Sequence, residues 1–199
     1  MMTKEGLRAL YGEVSPRAAV KSIGSLDQHC RDFIAHAPFL VLATSDGQNL
    51  DVSPKGDSAG FVHVEDEHHL ILPDRPGNNR IDGLLNILQH PQVALMFLIP
   101  TVGETLRVNG VAEILDDPEV CQKYAINGRS PKTVLRIRVQ EVFLHCGKAP
   151  LRGGLWQPEG WPTERPVGTL YEIIRDHGRV AVDTIDQREI EAGYRKTLY

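Results

Sequence analysis

Two arginines, Arg75 and Arg80, flank a Pro-Gly pair and two asparagines in the stretch LPDRPGNNRIDGLLNIL, residues 72–88. An apolar strand ends there and a helix opens. These residue types share one chemistry, the holding of a small anion. A helix N-terminus leaves backbone N–H groups unpaired and carries partial positive charge. Arginines beside it add forked, charge-assisted hydrogen bonds. Gly77 lets the backbone come close to a ligand, and Asn78 and Asn79 can cap the helix or donate amide hydrogens. A phosphate is the expected occupant. The pattern is neither a GxxxxGK[ST] loop nor a GxGxxG loop, for neither occurs in the chain. The plainer alternative leaves both arginines in solvent, paired with Asp74 and Asp82, a pairing that contributes little when exposed.

A second stretch, HCGKAPLRGGLW at 145–156, places His145, Cys146 and Lys148 at the end of a strand. A thiolate with a histidine base is conceivable chemistry. The sequence offers no third group to orient such a base, and neighbouring strand residues face opposite sides. No catalytic residue is therefore assigned. His63, His68 and His69 lack a metal-ligand spacing with a second ligand, so they are expected in solvent and no metal site is expected. Cys30 sits on an apolar helix face and is expected in the core.

These groups must be positioned by elements that the hydrophobic periodicity outlines. A helix is expected over 25–36, with Ser25 as N-cap and Leu26, Cys30, Phe33 and Ile34 on one face; Pro38 ends it. The period then shortens. Strands are expected at 39–45, at 49–57 after an Asp46-Gly47 turn, at 60–66, and at 69–73 after a turn at 66–68. A helix follows at 80–89, where Ile81, Leu84, Leu85 and Leu88 recur at helical spacing, and His90-Pro91 stops it. The run 92–100 reads as a strand buried on both faces. In 105–115, Leu106 and Val108 alternate with Arg107 and Asn109. A short helix is expected at 117–127, a long strand at 132–146, an irregular loop at 150–165, and amphipathic helices at 168–177 and 184–197. Residues 1–24 carry no clear pattern.

Six or seven strands at hairpin spacing with one helix among them do not fit a doubly wound parallel sheet. They fit a mainly β, α+β fold, an antiparallel barrel with peripheral helices. The expected organisation is an N-terminal extension at 1–24, the barrel at 25–150, and a C-terminal loop and helical extension at 151–199 within the same unit. The 199 residues suffice for one such core. Apolar residues make up 41% and charged residues 24%, and the net charge is −4. That balance argues against a nucleic-acid partner. No apolar run reaches membrane-spanning length, and the stretch MMTKEGLRALYGEV lacks the apolar core expected of a signal peptide. The three cysteines form no CxxC pair. A cytoplasmic protein is expected.

The ordered segments FLVLATSDGQNLDVSPKGD, HLILPDRPGNNRIDGLLNIL, HPQVALMFLIP, TLRVNGVAEIL and FLHCGKAPLRGGLW together resemble the pyridoxamine 5′-phosphate oxidase-related flavoproteins. The resemblance covers roughly residues 25–160. It is nearest to a subgroup with a DRPGNNR turn and an HCGKA-type strand end. It implies an FMN-binding split β-barrel, dimeric, with FMN at the subunit interface. It implies that Val52, Ser53, Pro54 and Lys55 follow the flavin ring, with backbone amides tuning it. Leu72 and Pro73 would pass near the ribityl chain, and Arg75, Asn79 and Arg80 would hold the phosphate. Thr105 would be a polar flavin contact, and Arg107 either a flavin or a dimer contact. His145, Arg152 and Trp156 would reach the partner's flavin.

The chain departs from the oxidase itself. Leu50 stands where the oxidase has an arginine, and Tyr124 has only Arg129 and Ser130 as loose counterparts of the substrate-phosphate set. The expectation is an FMN-dependent oxidoreductase for another small molecule. The alternatives are a non-catalytic flavin carrier, or a split barrel for haem or a deazaflavin.

Overall fold

The computed structural model describes residues 1–179 and 186–199. Its centre is one antiparallel sheet, seven-stranded among the described residues, with helices around it. This is the expected α+β split barrel.

Two short helices, α1 (Lys4–Tyr11) and α2 (Pro16–Ala19), open the chain and bury nothing. Helix α3 (Gln28–His36) begins later than expected. Asp27, not Ser25, is its N-cap and accepts from the Cys30 N–H at 2.8 Å. A carboxylate at the cap favours the positive helix end more than a hydroxyl does. Cys30 and Ile34 point into the core as expected.

Strand β1 (Phe39–Ser45) pairs with β2 (Leu50–Gly56) across the expected turn. The third strand, β3 (His63–Val64), is far shorter than 60–66. Gly60 takes φ +81°, and Phe61 and Val62 are buried as a plug rather than paired in a ladder. Strand β4 (His69–Pro73) leads into helix α4 (Asp82–Gln89), and β5 (Gln92–Leu98) follows. The chain buries one face of β5, not both: Val93, Leu95 and Phe97 are covered, while Met96 is 38% exposed.

Strand β6 (Thr105–Leu115) and strand β7 (Val134–His145) form the longest pair. Its register shifts at Asn109/Gly110. A Cβ at Gly110 would lie 2.4 Å from the Arg138 carbonyl, so only glycine fits this bulge. Between them, α5 (Pro118–Gln122) is shorter than 117–127. Asn127 and Gly128 adopt positive φ and turn the chain back so that Ile126 pairs with Arg129.

The 150–165 region is not wholly irregular. Helix α6 (Lys148–Arg152) takes up its first residues and a 3₁₀ turn spans Pro158–Gly160. Helix α7 (Leu170–Gly178) opens on a Thr169/Glu172 capping box. Helix α8 (Gln187–Lys196) buries Ile190. Residues 184 and 185, where that helix was expected to begin, lie outside the described residues. No helix among the described residues is long and apolar enough to cross a membrane.

The strand order is β2-β1-β5-β6-β7-β4-β3, so β2 and β3 are the free edges. Among the described residues no ladder joins them. Two ion pairs span the seam instead. Lys55 in β2 meets Asp74 after β4 at 3.2 Å, and Asp57 after β2 meets Arg75 at 2.7 Å. Leu40, Leu42, Leu95, Phe97, Leu106, Val108 and Ile137 fill the interior, with α3 and α4 residues packed on them.

Candidate functional site

The seam holds a cavity of about 770 Å³, within the usual range of small-ligand pockets. One wall is β2, contributing Val52, Ser53, Pro54 and Lys55. A second is the turn 74–81 and the first turn of α4, with Arg75, Asn79 and Arg80. Arg129, Ser130, Pro131 and Lys132 add a third, and Lys196, Thr197 and Tyr199 a fourth. Six lining residues are basic (Lys55, Arg75, Arg80, Arg129, Lys132, Lys196) against three acidic ones (Asp51, Asp74, Asp82). The pocket is thus locally positive in a chain of net charge −4, which suits an anion.

The turn is built under strain. Asn79 and Ile81 both take left-handed backbone, φ 57° and 54°. For a β-branched residue such as Ile81 this is a genuine outlier, of the kind that gathers at ligand clamps. Neither Asn78 nor Asn79 caps α4. Ile81 stands at the N-cap with no side-chain hydrogen bond to the helix, while the Asn78 side chain accepts from the Arg80 N–H at 3.0 Å. The N–H groups of the first turn of α4 are left without a side-chain cap where Asp82, Gly83 and Leu84 line the cavity.

The two arginines differ. Arg75 is only 15% exposed; its Nε donates to Asp57 at 2.7 Å and its Nη1 to the Tyr124 carbonyl at 2.9 Å. Asp74 pairs with Lys55, not with Arg75. Arg80 is 73% exposed and pairs with Asp82 at 2.7 Å. Burial alone would raise the Asp57 pKa. Hydrogen bonds from Tyr199, the Ser58 N–H and Arg75, with the Arg75 charge, outweigh it and leave it lowered.

Leu72 and Pro73 do not line the cavity. Leu72 is 2% exposed among the core side chains, and Pro73 is buried opposite Val134. The two lie on opposite faces of β4, Leu72 toward the main core and Pro73 on the other, and both faces are covered here.

Thr105, Arg107, His145, Arg152 and Trp156 also lie outside the cavity of their own chain. Most of them gather elsewhere. Thr105 pairs with His145 and Arg107 with Phe143 on the outer face of β6–β7. Arg107 Nη1 donates to His145 Nε2 at 3.3 Å and its guanidinium stacks on Phe143. Partial burial, with the Lys21 and Arg107 charges, lowers the His145 pKa. Trp156 Nε1 donates to the Val102 carbonyl at 2.9 Å. Gly147 passes so near Gly103 that a Cβ there would lie 3.1 Å from its main chain. Arg152 is exposed on α6.

Sequence reasoning missed Asp57, Lys132 and the C-terminal residues. No local pattern marks them, and Asp57 and Tyr199 meet across most of the chain. Tyr124 stacks on His63 at 4.8 Å besides holding Arg75. His69 is not isolated: Glu65, Asp66 and His69 bring ligand-type atoms within 4.8 Å of one another. These groups are already engaged, His69 with Asp66 and Glu65 with Arg136.

A family model described as pyridoxamine 5′-phosphate oxidase matches residues 26–146. No curated protein matches the chain. Among solved structures, a proposed pyridoxamine 5′-phosphate oxidase from Lactobacillus delbrueckii is 21% identical, covering 62% of this chain and 99% of its own, with TM-score 0.50. HupZ from Group A Streptococcus is 24% identical, covering 59% and 92%, with TM-score 0.48. An FMN-binding protein from Syntrophomonas wolfei is 16% identical, covering 57% and 82%, with TM-score 0.45. At these identities the likeness is one of fold.

Proposed function

Because this chain belongs to the pyridoxamine 5′-phosphate oxidase family, we propose that it is a cytoplasmic FMN-binding flavoprotein, an oxidoreductase for a small molecule other than pyridoxamine phosphate. The observation that carries the reading is the uncapped first turn of α4, opening on a positive cavity behind the strained backbone of Asn79 and Ile81. The N–H groups of that turn, with Arg75 and Arg80, would hold the FMN phosphate. Residues 52–55 would follow the isoalloxazine edge. A bound flavin supplies hydride or electron transfer, and the chain supplies position and electrostatics. Arg75 arrives pre-aimed, because Asp57 and the Tyr124 carbonyl hold two edges of its guanidinium. Lys55 keeps positive charge on the β2 wall.

We further propose a homodimer, with FMN at the interface. Thr105, Arg107, His145, Arg152 and Trp156 would then act across it, which accounts for their standing outside the cavity of their own chain.

The test is flavin titration of the purified protein. FMN should bind at about one per subunit, quenching its fluorescence, and riboflavin should bind far more weakly for want of the phosphate. Equal binding of FMN and riboflavin would remove the phosphate from the turn. No binding of either would overturn the flavoprotein reading. Addition of NADH or NADPH should bleach the bound flavin; persistent colour with both donors would favour a carrier.

A further inference from the structure

The C-terminal residues fold back onto the cavity and form one of its walls. Tyr199 lies 142 residues from Asp57 in the chain, yet its hydroxyl donates to Asp57 Oδ1 at 2.6 Å. The other oxygen of the same carboxylate takes Arg75 Nε at 2.7 Å. One carboxylate, 1% exposed, thus joins the C-terminal wall to the more buried arginine of the turn. Arg129, from the wall at 129–132, donates to the main-chain oxygen of Tyr199. Ile190, 5% exposed, anchors the preceding helix. The segment is therefore tied at both ends: by an apolar anchor in α8, and by Asp57 and Arg129 at its tip.

We propose that Tyr199 is a positioning residue for the cofactor site, acting through Asp57 on Arg75, and that residues 196–199 form a strap that closes the cavity over its ligand. This rests on the flavin reading for its ligand but not for its geometry. Asp57 has two oxygens and two side-chain partners. Removal of the tyrosine hydroxyl leaves Oδ1 of this buried carboxylate with the Ser58 N–H, at 2.7 Å, in place of two donors. The carboxylate then has reason to shift, and Arg75 follows it. The strap loses the same bond and opens more often, so a ligand held under it leaves sooner.

The test is Tyr199→Phe, which keeps the ring and removes only the O–H donor. FMN should dissociate about tenfold faster, the scale of a lost hydrogen bond to a charged group, when release is followed by recovery of flavin fluorescence. The same substitution in an Arg75→Lys background should speed release less than in the parent chain, because the part of the effect that passes through that arginine is already gone. Full additivity would overturn the positioning role. A readout independent of flavin judges the strap. Trypsin cleavage after Arg195 and Lys196 should be faster in Tyr199→Phe, and in Asp57→Asn, than in the parent chain. Equal cleavage would overturn the strap even if the parent chain binds no flavin, whereas faster cleavage with no flavin bound would support the strap and sink the flavin reading alone.

Discussion

Lys55 and Asp74 meet at 3.2 Å across the seam of the barrel, although their strands stand far apart in the hydrogen-bonded order. Each side chain is 27% exposed. The pair stands in for ladder hydrogen bonds that the open edge of β2 lacks, and it places an ammonium on the cavity wall.

The two partners should respond differently to substitution. Lys55→Met removes positive charge from the cavity and should weaken FMN binding about tenfold. Asp74→Asn leaves the lysine in place, freed from its partner, and should not weaken binding. Both should cost about 1 kcal/mol of stability or less, since the pair is partly solvated. Fluorescence titration and urea unfolding of both variants check this; equal loss of affinity in both would make the pair merely structural.

The two arginines of the turn should separate along another line. Arg75→Ala leaves the Asp57 carboxylate, 1% exposed, without its cation. Loss of one partner of such a pair costs about 3 kcal/mol, so the midpoint of urea unfolding should fall clearly. Arg80→Ala touches a side chain 73% exposed and should leave unfolding unchanged while weakening FMN. The reverse order of stability effects would contradict the buried role of Arg75.

Much of this was legible in the sequence. The runs 39–45, 69–73 and 105–115 became strands at those bounds, because continuous or alternating apolar residues leave one register that buries them. Arg75 and Arg80 were found by their place at a strand–helix turn. What they pair with was not legible. Asp57, Tyr124 and Tyr199 reach Arg75 or its carboxylate from distant parts of the chain, and no local period encodes a long-range contact. The strain at Ile81 was also hidden, since nothing about an isoleucine at a helix start announces left-handed backbone.

Glycine at 110 is demanded by the bulge between β6 and β7. Gly110→Ala would set a Cβ 2.4 Å from the Arg138 carbonyl, which is backbone within a central pair. Relief requires the two longest strands to part. The variant should lose about 1–3 kcal/mol, read as a lower urea midpoint. An unchanged midpoint would mean that the register can slip at no cost.

The strap contact carries a pH signature. The Asp57 pKa is lowered from 3.8 despite the raising effect of burial, so its contribution holds above that value and fades as pH falls through the lower folded one. The Tyr199 pKa is raised from 10.0, first by its hydrogen bond to Asp57, so its contribution holds below 10.0 and fades as pH rises through the higher folded one. The difference in unfolding free energy between the parent chain and Tyr199→Phe should be flat between about pH 5 and 9 and shrink beyond both limits. A difference that varies through neutral pH would point to another group.

The outer face of the sheet bears on the dimer. Phe39 faces Leu98, Val41 faces Met96, and Met96 faces Arg107, which in turn faces Phe143. These pairs share the face away from the core, where Phe39 is 39% and Met96 38% exposed. The run 92–100 reads as buried on both faces in sequence, and a second copy seated here would bury the face that one chain leaves open. Met96→Lys places a charge in the middle of that face without touching the cavity. Sedimentation should show a dimer for the parent chain at micromolar concentration and a monomer for the variant. FMN affinity should fall with dissociation, because Thr105, Arg107, His145 and Trp156 stand outside the seam cavity of their own chain. A Met96→Lys monomer that binds FMN as tightly as the parent would place the whole flavin site within one subunit.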